Sequence, residues 1–250
     1  MTPAFLGVIP SRYASSRLPG KPLLDICGKT MLEHVYRRAV ESEVFFRVVI
    51  ATDDNRIYKA AEAFGAQVMM TGAGHPDGTS RVAEVARSIE SDYVINIQGD
   101  EPLLDPRMLK ELADGLVADP GADCATLCAR ITDDEEFQNP NIVKVVTTLS
   151  GRALYFSRSA IPFRRTRADC PVWGHIGVYA FKREFLFTYA KLPATPLMEA
   201  ESLEQLRVLE HGYSMRVIPT KYPPLGPNVN TAEDIEKVRE IFSREKLNCR

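Results

Sequence analysis

The first half of the chain alternates between two hydrophobic periods. Short unbroken apolar runs occur at Phe5 to Ile9, Val48 to Ala51, Val68 to Met70 and Tyr93 to Ile97. Their length and β-branched content read as buried strands. Between them, apolar residues recur three and four positions apart. Thr30 caps a predicted helix to about Glu43, with Met31, Leu32, Val35 and Ala39 on one face. His34 on that helix reads as a packing or surface histidine. A second helix ends at Phe64, where Gly65 stops it, and a third begins near Gly78–Arg81 and reaches Ile89. Asp105-Pro106, a cap followed by a proline at the first helical position, opens a fourth. Strands and helices in alternation predict an α/β fold with a doubly wound, mostly parallel sheet.

The second half is less regular. Strand patterns cover 124–131, 143–148, 153–156, 173–181 and 215–218, and helical patterns cover 184–192 and 201–211. Thr231 with Asp234 three positions later resembles a capping box before a last helix to Phe242. This half predicts a smaller mixed α/β extension with antiparallel pairing. A single domain over 1–250 is expected, with a sheet part over about 1–120, an extension over about 121–230, and a C-terminal helix over about 231–243.

The chemistry concentrates at predicted strand ends, where open α/β sheets bind ligands. The loop after Ile9 carries Arg12, Arg17 and Lys21, and no acidic residue appears before Asp25. With Ser15, Ser16 and Gly20 it offers hydroxyls, backbone N–H groups and fixed positive charge, which suit a polyphosphate. Thr52-Asp53, Thr79–Arg81 and Gln98–Asp100 fall on the same edge. Asp100 follows a strand and a glycine, and a carboxylate opposite a basic phosphate loop suits Mg²⁺ bound jointly to protein and phosphate. No G-x-G-x-x-G, G-x-x-x-x-G-K-[ST] or G-x-S-x-G motif is present, so dehydrogenase, P-loop and serine-hydrolase readings lack their signatures.

Composition changes the picture little. The 250 residues are 45% hydrophobic, and 31 basic against 33 acidic side chains give a net charge of −2. That gives no global reason to expect nucleic acid or a membrane as partner. Cys27, Cys124, Cys128, Cys170 and Cys249 are scattered, which fits thiols in a reducing compartment. With no signal-peptide pattern and no spanning apolar stretch, a cytoplasmic location is expected.

The runs IPSRYASSRLPGKPL, IATDD, DGTSRVAEV, NIQGDEPL, NPNIVKVV, ALYFSRSAIP, HIGVYAF and LEQLRVLEHG, in that order, resemble the 3-deoxy-D-manno-octulosonate (Kdo) cytidylyltransferases. The resemblance covers almost the whole chain and implies a nucleotide-diphospho-sugar transferase-like fold. It implies a CTP site at Arg12, Ser15, Ser16, Arg17, Lys21, Arg81 and Gln98, with Arg12, Lys21 and Asp100 as the catalytic groups. It places acceptor-sugar contacts at Arg158, His175, Tyr179, Glu204 and Gln205, a magnesium ligand at Asp100, and a homodimer. The implied reaction is CTP plus Kdo giving CMP-Kdo and pyrophosphate. Four positions depart from the family pattern. Asn230 replaces a metal-binding aspartate, Gly174 a basic residue, Met198 an acidic residue, and Ser80 the acid of the Gly-Thr-acid-Arg motif. An amide oxygen at Asn230 can still ligate Mg²⁺. The departures leave open a Kdo variant, or a small phosphonate or carboxylate acceptor. A non-catalytic nucleotide-binding protein is a second alternative.

Overall fold

Phe5–Ser11 (β1) is apolar almost throughout because it is covered on both edges and both faces. It pairs in parallel with Arg47–Thr52 from Leu6↔Arg47 to Ser11↔Thr52, and with Tyr93–Asn96 from Phe5↔Tyr93 to Val8↔Asn96. Fully burying each of Leu6, Val8 and Ile9 contributes about 1.5–3 kcal/mol before entropic costs. The computed structural model describes residues 2–14, 18–166, 170–222 and 224–248. Ser15, Ser16 and Arg17 therefore lie outside the described residues.

The described residues form two compact units, one up to residue 110 together with those from 224 onward, the other from 111 to 223. In the first unit, β1 is followed by a 3₁₀ turn (Lys21–Leu23), a small hairpin of β2 (Asp25–Ile26) and β3 (Lys29–Thr30), and α1 (Met31–Glu41). Then come β4 (Arg47–Thr52), α2 (Asn55–Ala63), β5 (Gln67–Met70), α3 (Gly78–Ser88) and β6 (Tyr93–Asn96). The strand order β6-β1-β4-β5 is parallel throughout. The predicted caps are present: Thr30 Oγ1 accepts from Glu33 N at 3.1 Å, and Phe64 and Gly65 (φ 80°) close α2.

α4 (Pro106–Val117) carries the chain onward. The second unit adds β7 (Cys124–Ile131), α5 (Asp134–Gln138), β8 (Lys144–Thr147), β9 (Ala153–Ser157) and β10 (Val172–Lys182). It continues with α6 (Arg183–Tyr189), α7 (Pro196–Glu201), α8 (Leu206–Glu210) and β11 (Met215–Pro219). Within it the strands run β11-β7-β10-β8-β9, antiparallel except for β11 beside β7.

The helix expected over 201–211 is shorter: Glu201 is the last residue of α7, and beyond it only Leu206–Glu210 (α8) is helical. Ser202 adopts a left-handed backbone (φ 52°) that ends α7, and a turn leads into α8. The Glu201 carboxylate beside the break is held by Ser157 Oγ at 2.6 Å and Arg158 N at 2.9 Å, long-range bonds that local periodicity cannot report. α5, capped by Asp133, is a further element the pattern did not predict.

Finally α9 (Ala232–Asn248) returns to the first unit and runs past the predicted end at Phe242. Its capping box is reciprocal: Thr231 Oγ1 accepts from Asp234 N, while Asp234 Oδ2 accepts from the backbones of Asn230 and Thr231. Val229, Ile235, Val238 and Phe242 pack with Ile26, Met31 and Leu103. Among the described residues no helix is long and apolar enough to cross a membrane.

Candidate active site

In the first unit, β1, β4 and β6 deliver their carboxyl ends to one edge, as the parallel registers require. Arg12, just past β1, donates through Nη2 to the carbonyls of His75 (2.5 Å) and Asp77 (3.1 Å), fixing the segment that enters α3. Gly99 lets the loop after β6 lie against β1, since a Cβ there would stand 3.3 Å from Pro10 O and Ser11 Oγ. Ser11 Oγ is buried with no hydrogen-bond partner among the described residues. Gln98 Nε2 reaches Asn96 Oδ1 at 3.5 Å, and Asn96 donates to Thr79 Oγ1 at 3.0 Å.

Lys21 is held in place by its neighbours. Gly20 takes a left-handed conformation (φ 72°) that glycine adopts without strain, and Gly20 N bonds Tyr13 O at 3.0 Å. Pro22 fixes the next residue of the turn. Lys21 Nζ then lies 2.8 Å from Asp100 Oδ2 and 2.8 Å from Val229 O. Val229 N in turn donates to Asp100 O at 3.0 Å. Two expected site residues, Lys21 and Asp100, are thus brought into direct contact.

Arg81 is fully buried, and its guanidinium donates to Asp53 Oδ2 (2.9 Å) and to Thr71 Oγ1. Its described contacts tie the ends of β4 and β5 to α3. The sequence placed Asp53 on this edge, and its pairing with Arg81, like the part played by Thr71, came only with the structure. Glu101 was also missed. It is buried beside Asp100, its Oε1 accepts from Asn228 Nδ2 at 3.1 Å, and burial together with the Asp100 charge pushes its carboxyl up to about 8. Its place next to Asp100, before Pro102, was the only signal available.

In the second unit, the expected acceptor residues fall into two groups. Tyr179 Oη donates to Gln205 Oε1 at 3.3 Å, and the Tyr179 and His175 rings lie 5.5 Å apart. Gln205 Nε2 is buried with no hydrogen-bond partner among the described residues, which leaves a donor for another group. Arg158 stands apart from these in its bonding: its guanidinium donates to the carbonyls of Glu201 (2.8 Å), Pro140 (3.1 Å) and Ser202 (3.4 Å). Glu204 is exposed in the turn before α8.

His175 lies edge-on to Phe156, and its Nε2 shares a 2.9 Å hydrogen bond with Thr126 Oγ1. Burial pushes its pKa down to about 3. The folded state therefore keeps His175 neutral while the unfolded chain protonates near its ordinary value. Stability from this group is present above about pH 6.5 and is lost as pH falls toward 3. The wild type is expected to lose about 2 kcal/mol more than His175→Gln between pH 7 and pH 5. Urea midpoints of the two proteins at both pH values check this, and equal losses would contradict it.

Comparison with known proteins converges on one family. The cytidylyltransferase family model matches residues 6–218. A 3-deoxy-manno-octulosonate cytidylyltransferase of Solibacter usitatus is 50% identical over 97% of this chain and 96% of its own. One from Geobacter metallireducens is 46% identical over 96% of this chain and 98% of its own. A solved structure of CMP:2-keto-3-deoxy-manno-octonic acid synthetase complexed with CTP superposes with a TM-score of 0.92 at 44% identity, covering 97% of this chain and 99% of that one. The chain belongs to the 3-deoxy-manno-octulosonate cytidylyltransferase family. It has the nucleotide-diphospho-sugar transferase-like α/β fold that the resemblance implied.

Two departures from the family's motifs have local physical explanations. Ser80 completes the capping box of α3: Ser80 N donates to Asp77 Oδ1 at 2.7 Å and Ser80 Oγ accepts from Asp77 N at 3.4 Å, the part an acid usually plays. At Gly174 a Cβ would stand 3.2 Å from the Ile131 side chain and 3.4 Å from Ile142, so packing on β10 favours glycine.

The oxygen donors near Lys21 are sparse. Among the described residues, no group of three or more His, Cys, Asp or Glu could hold a metal. Asp100 offers one part-exposed carboxylate, and Asn230, directly after the Val229 that bonds Asp100, offers an amide oxygen. Mg²⁺ is often held by one or two carboxylates, water and substrate phosphates. The residues fit a magnesium that shares its ligands with a triphosphate, and do not fit one caged by protein alone.

Proposed function

We propose that the chain transfers CMP from CTP to 3-deoxy-D-manno-octulosonate, releasing pyrophosphate. The observation that carries this reading is the meeting of Lys21 with Asp100, on the edge that the carboxyl ends of β1 and β6 share and that also carries Arg12, in a chain of this family. The acceptor's anomeric hydroxyl attacks the α-phosphorus. The new P–O bond forms as the bond to the β-phosphate oxygen breaks, and the hydroxyl proton leaves to solvent. Arg12 and Lys21 bind and neutralise the triphosphate, and catalysis is chiefly positioning and charge stabilisation. Asp100, with Asn230 as a second oxygen donor, would hold Mg²⁺, which when bound polarises the α-phosphoryl oxygen. Arg81 and Gln98 order the nucleotide edge. Arg158, His175, Tyr179, Glu204 and Gln205 are the acceptor-side residues of the proposal. A homodimer and a cytoplasmic location complete it, supported by the family resemblance and by the free thiols of Cys27, Cys124, Cys128 and Cys170.

A second reading, a changed acceptor, is favoured by Asn230 alone, since a negative charge is missing that a phosphonate could bring to the metal. The test is pyrophosphate release with CTP and Mg²⁺ across a panel of Kdo, a Kdo variant, a small phosphonate and a simple 2-keto acid. Kdo is expected to turn over at least about tenfold faster than the others. Faster turnover of the phosphonate would favour the second reading. CTP binding with no pyrophosphate release from any acceptor would mark a non-catalytic nucleotide-binding protein.

A further inference from the structure

The Lys21 ammonium lies on the very carboxylate to which the proposed function assigns the metal. It is not a loose surface contact. Lys21 and Asp100 side chains are 17% and 30% exposed, and Nζ makes two 2.8 Å bonds, to Asp100 Oδ2 and Val229 O. Both acceptors are held: Asp100 O bonds Val229 N, and the Val229 side chain is buried against α9 and Met31. Lys21 itself sits between a left-handed glycine and a proline. A carboxylate oxygen and a carbonyl are oxygen donors of the type a hard divalent cation uses, and here an ammonium takes both.

We propose that Lys21 is a resident counter-ion which keeps divalent metal off Asp100 until nucleotide arrives. A metal approaching Asp100 in the nucleotide-free protein meets a fixed positive charge already paired with the ligand, and the repulsion opposes binding. A bound triphosphate offers Lys21 a more highly charged partner. The ammonium re-pairs with phosphate, and Asp100 Oδ2 is released. The pair thereby orders the two binding events, nucleotide first and metal at Asp100 second. The inference rests on the proposed metal role of Asp100 and adds to it a gate made by the chain itself.

The test uses the full chain without nucleotide and titrates Mn²⁺, read by the loss of the free-ion paramagnetic resonance signal. Lys21→Met keeps the stem and removes the charge, and is expected to bind Mn²⁺ about tenfold or more tightly than the wild type. Lys21→Gln, a second neutral variant, should do the same, with folding of both checked by thermal melting. Adding Asp100→Asn to either should abolish the gained site. Wild type binding Mn²⁺ through Asp100 as tightly as both variants would overturn the gate while leaving Asp100 as a ligand. No Asp100-dependent Mn²⁺ binding in either neutral variant would overturn the gate, and the same titration with CTP present decides the metal assignment, which falls if Asp100→Asn then binds Mn²⁺ as tightly as the wild type. Pyrophosphate release from CTP and Kdo, measured separately, tells that second failure from failure of the cytidylyl-transfer reading.

Discussion

Asp100→Asn is expected to lower kcat for pyrophosphate release about 10²–10³-fold, the usual cost of removing one group aimed at transition-state charge. The fold should survive. Asn keeps an oxygen acceptor of the same shape at the position that Lys21 Nζ reaches at 2.8 Å, and the Lys21 bond to Val229 O is untouched. The backbone bond from Val229 N to Asp100 O does not involve the substituted atoms. Burial first, and the Asp100 charge second, push the Glu101 carboxyl up to about 8, so it is largely neutral at pH 7 and neutralising Asp100 leaves it so. The rate and the stability should therefore separate: a large fall in kcat at saturating CTP, with a melting temperature within a few degrees of wild type. A kcat within about threefold of wild type would remove Asp100 from the catalytic groups.

Lys144→Ala should cost about 3–5 kcal/mol of stability, the largest such effect expected here. Lys144 is fully buried on β8, and its Nζ donates to the carbonyls of Asn139 (2.9 Å), Ile142 (2.6 Å) and Arg158 (2.7 Å). Burial pulls its pKa down, and the Glu201 carboxylate opposes that shift. Truncation removes the donor that three carbonyls share and opens a cavity. Lys144→Met refills much of the volume and not the hydrogen bonds, so most of the loss should persist. Because one of the three carbonyls belongs to Arg158, the KM for the acceptor should rise as well. Urea unfolding of both variants is the check, and a loss below about 1 kcal/mol in each would contradict the account.

Lys144 also shows where the sequence stopped being informative. In a strand pattern it reads as one polar residue among valines, and nothing local announces that positions 139, 142 and 158 will send their carbonyls to it. Glu201 is similar: its partners lie more than 40 residues away, and the bonds they make coincide with the break at Ser202 that the helical pattern missed. The parallel half was legible for the opposite reason. β1, β4 and β6 are buried on both faces, so each is written as a continuous apolar run, and Thr30, Gly65 and Asp105-Pro106 punctuate the helices locally. The basic loop and Asp100 could be located because chemistry sits at strand ends. The contact between Lys21 and Asp100, 79 residues apart in the chain, required the fold. Arg81 was found by its motif and Asp53 by its place at a strand end, whereas the bonds that Arg81 makes to Asp53 and Thr71 became visible only when β4 and β5 were placed side by side.

The central claim is cytidylyl transfer to Kdo, and phosphorus-31 resonance of the reaction mixture tests it most directly. With CTP, Kdo and Mg²⁺, the account predicts that the three triphosphate signals give way to a pyrophosphate signal and one new phosphodiester signal of half its intensity, as equimolar products require. CTP left unchanged, or converted to CDP and a phosphorylated sugar, would contradict it.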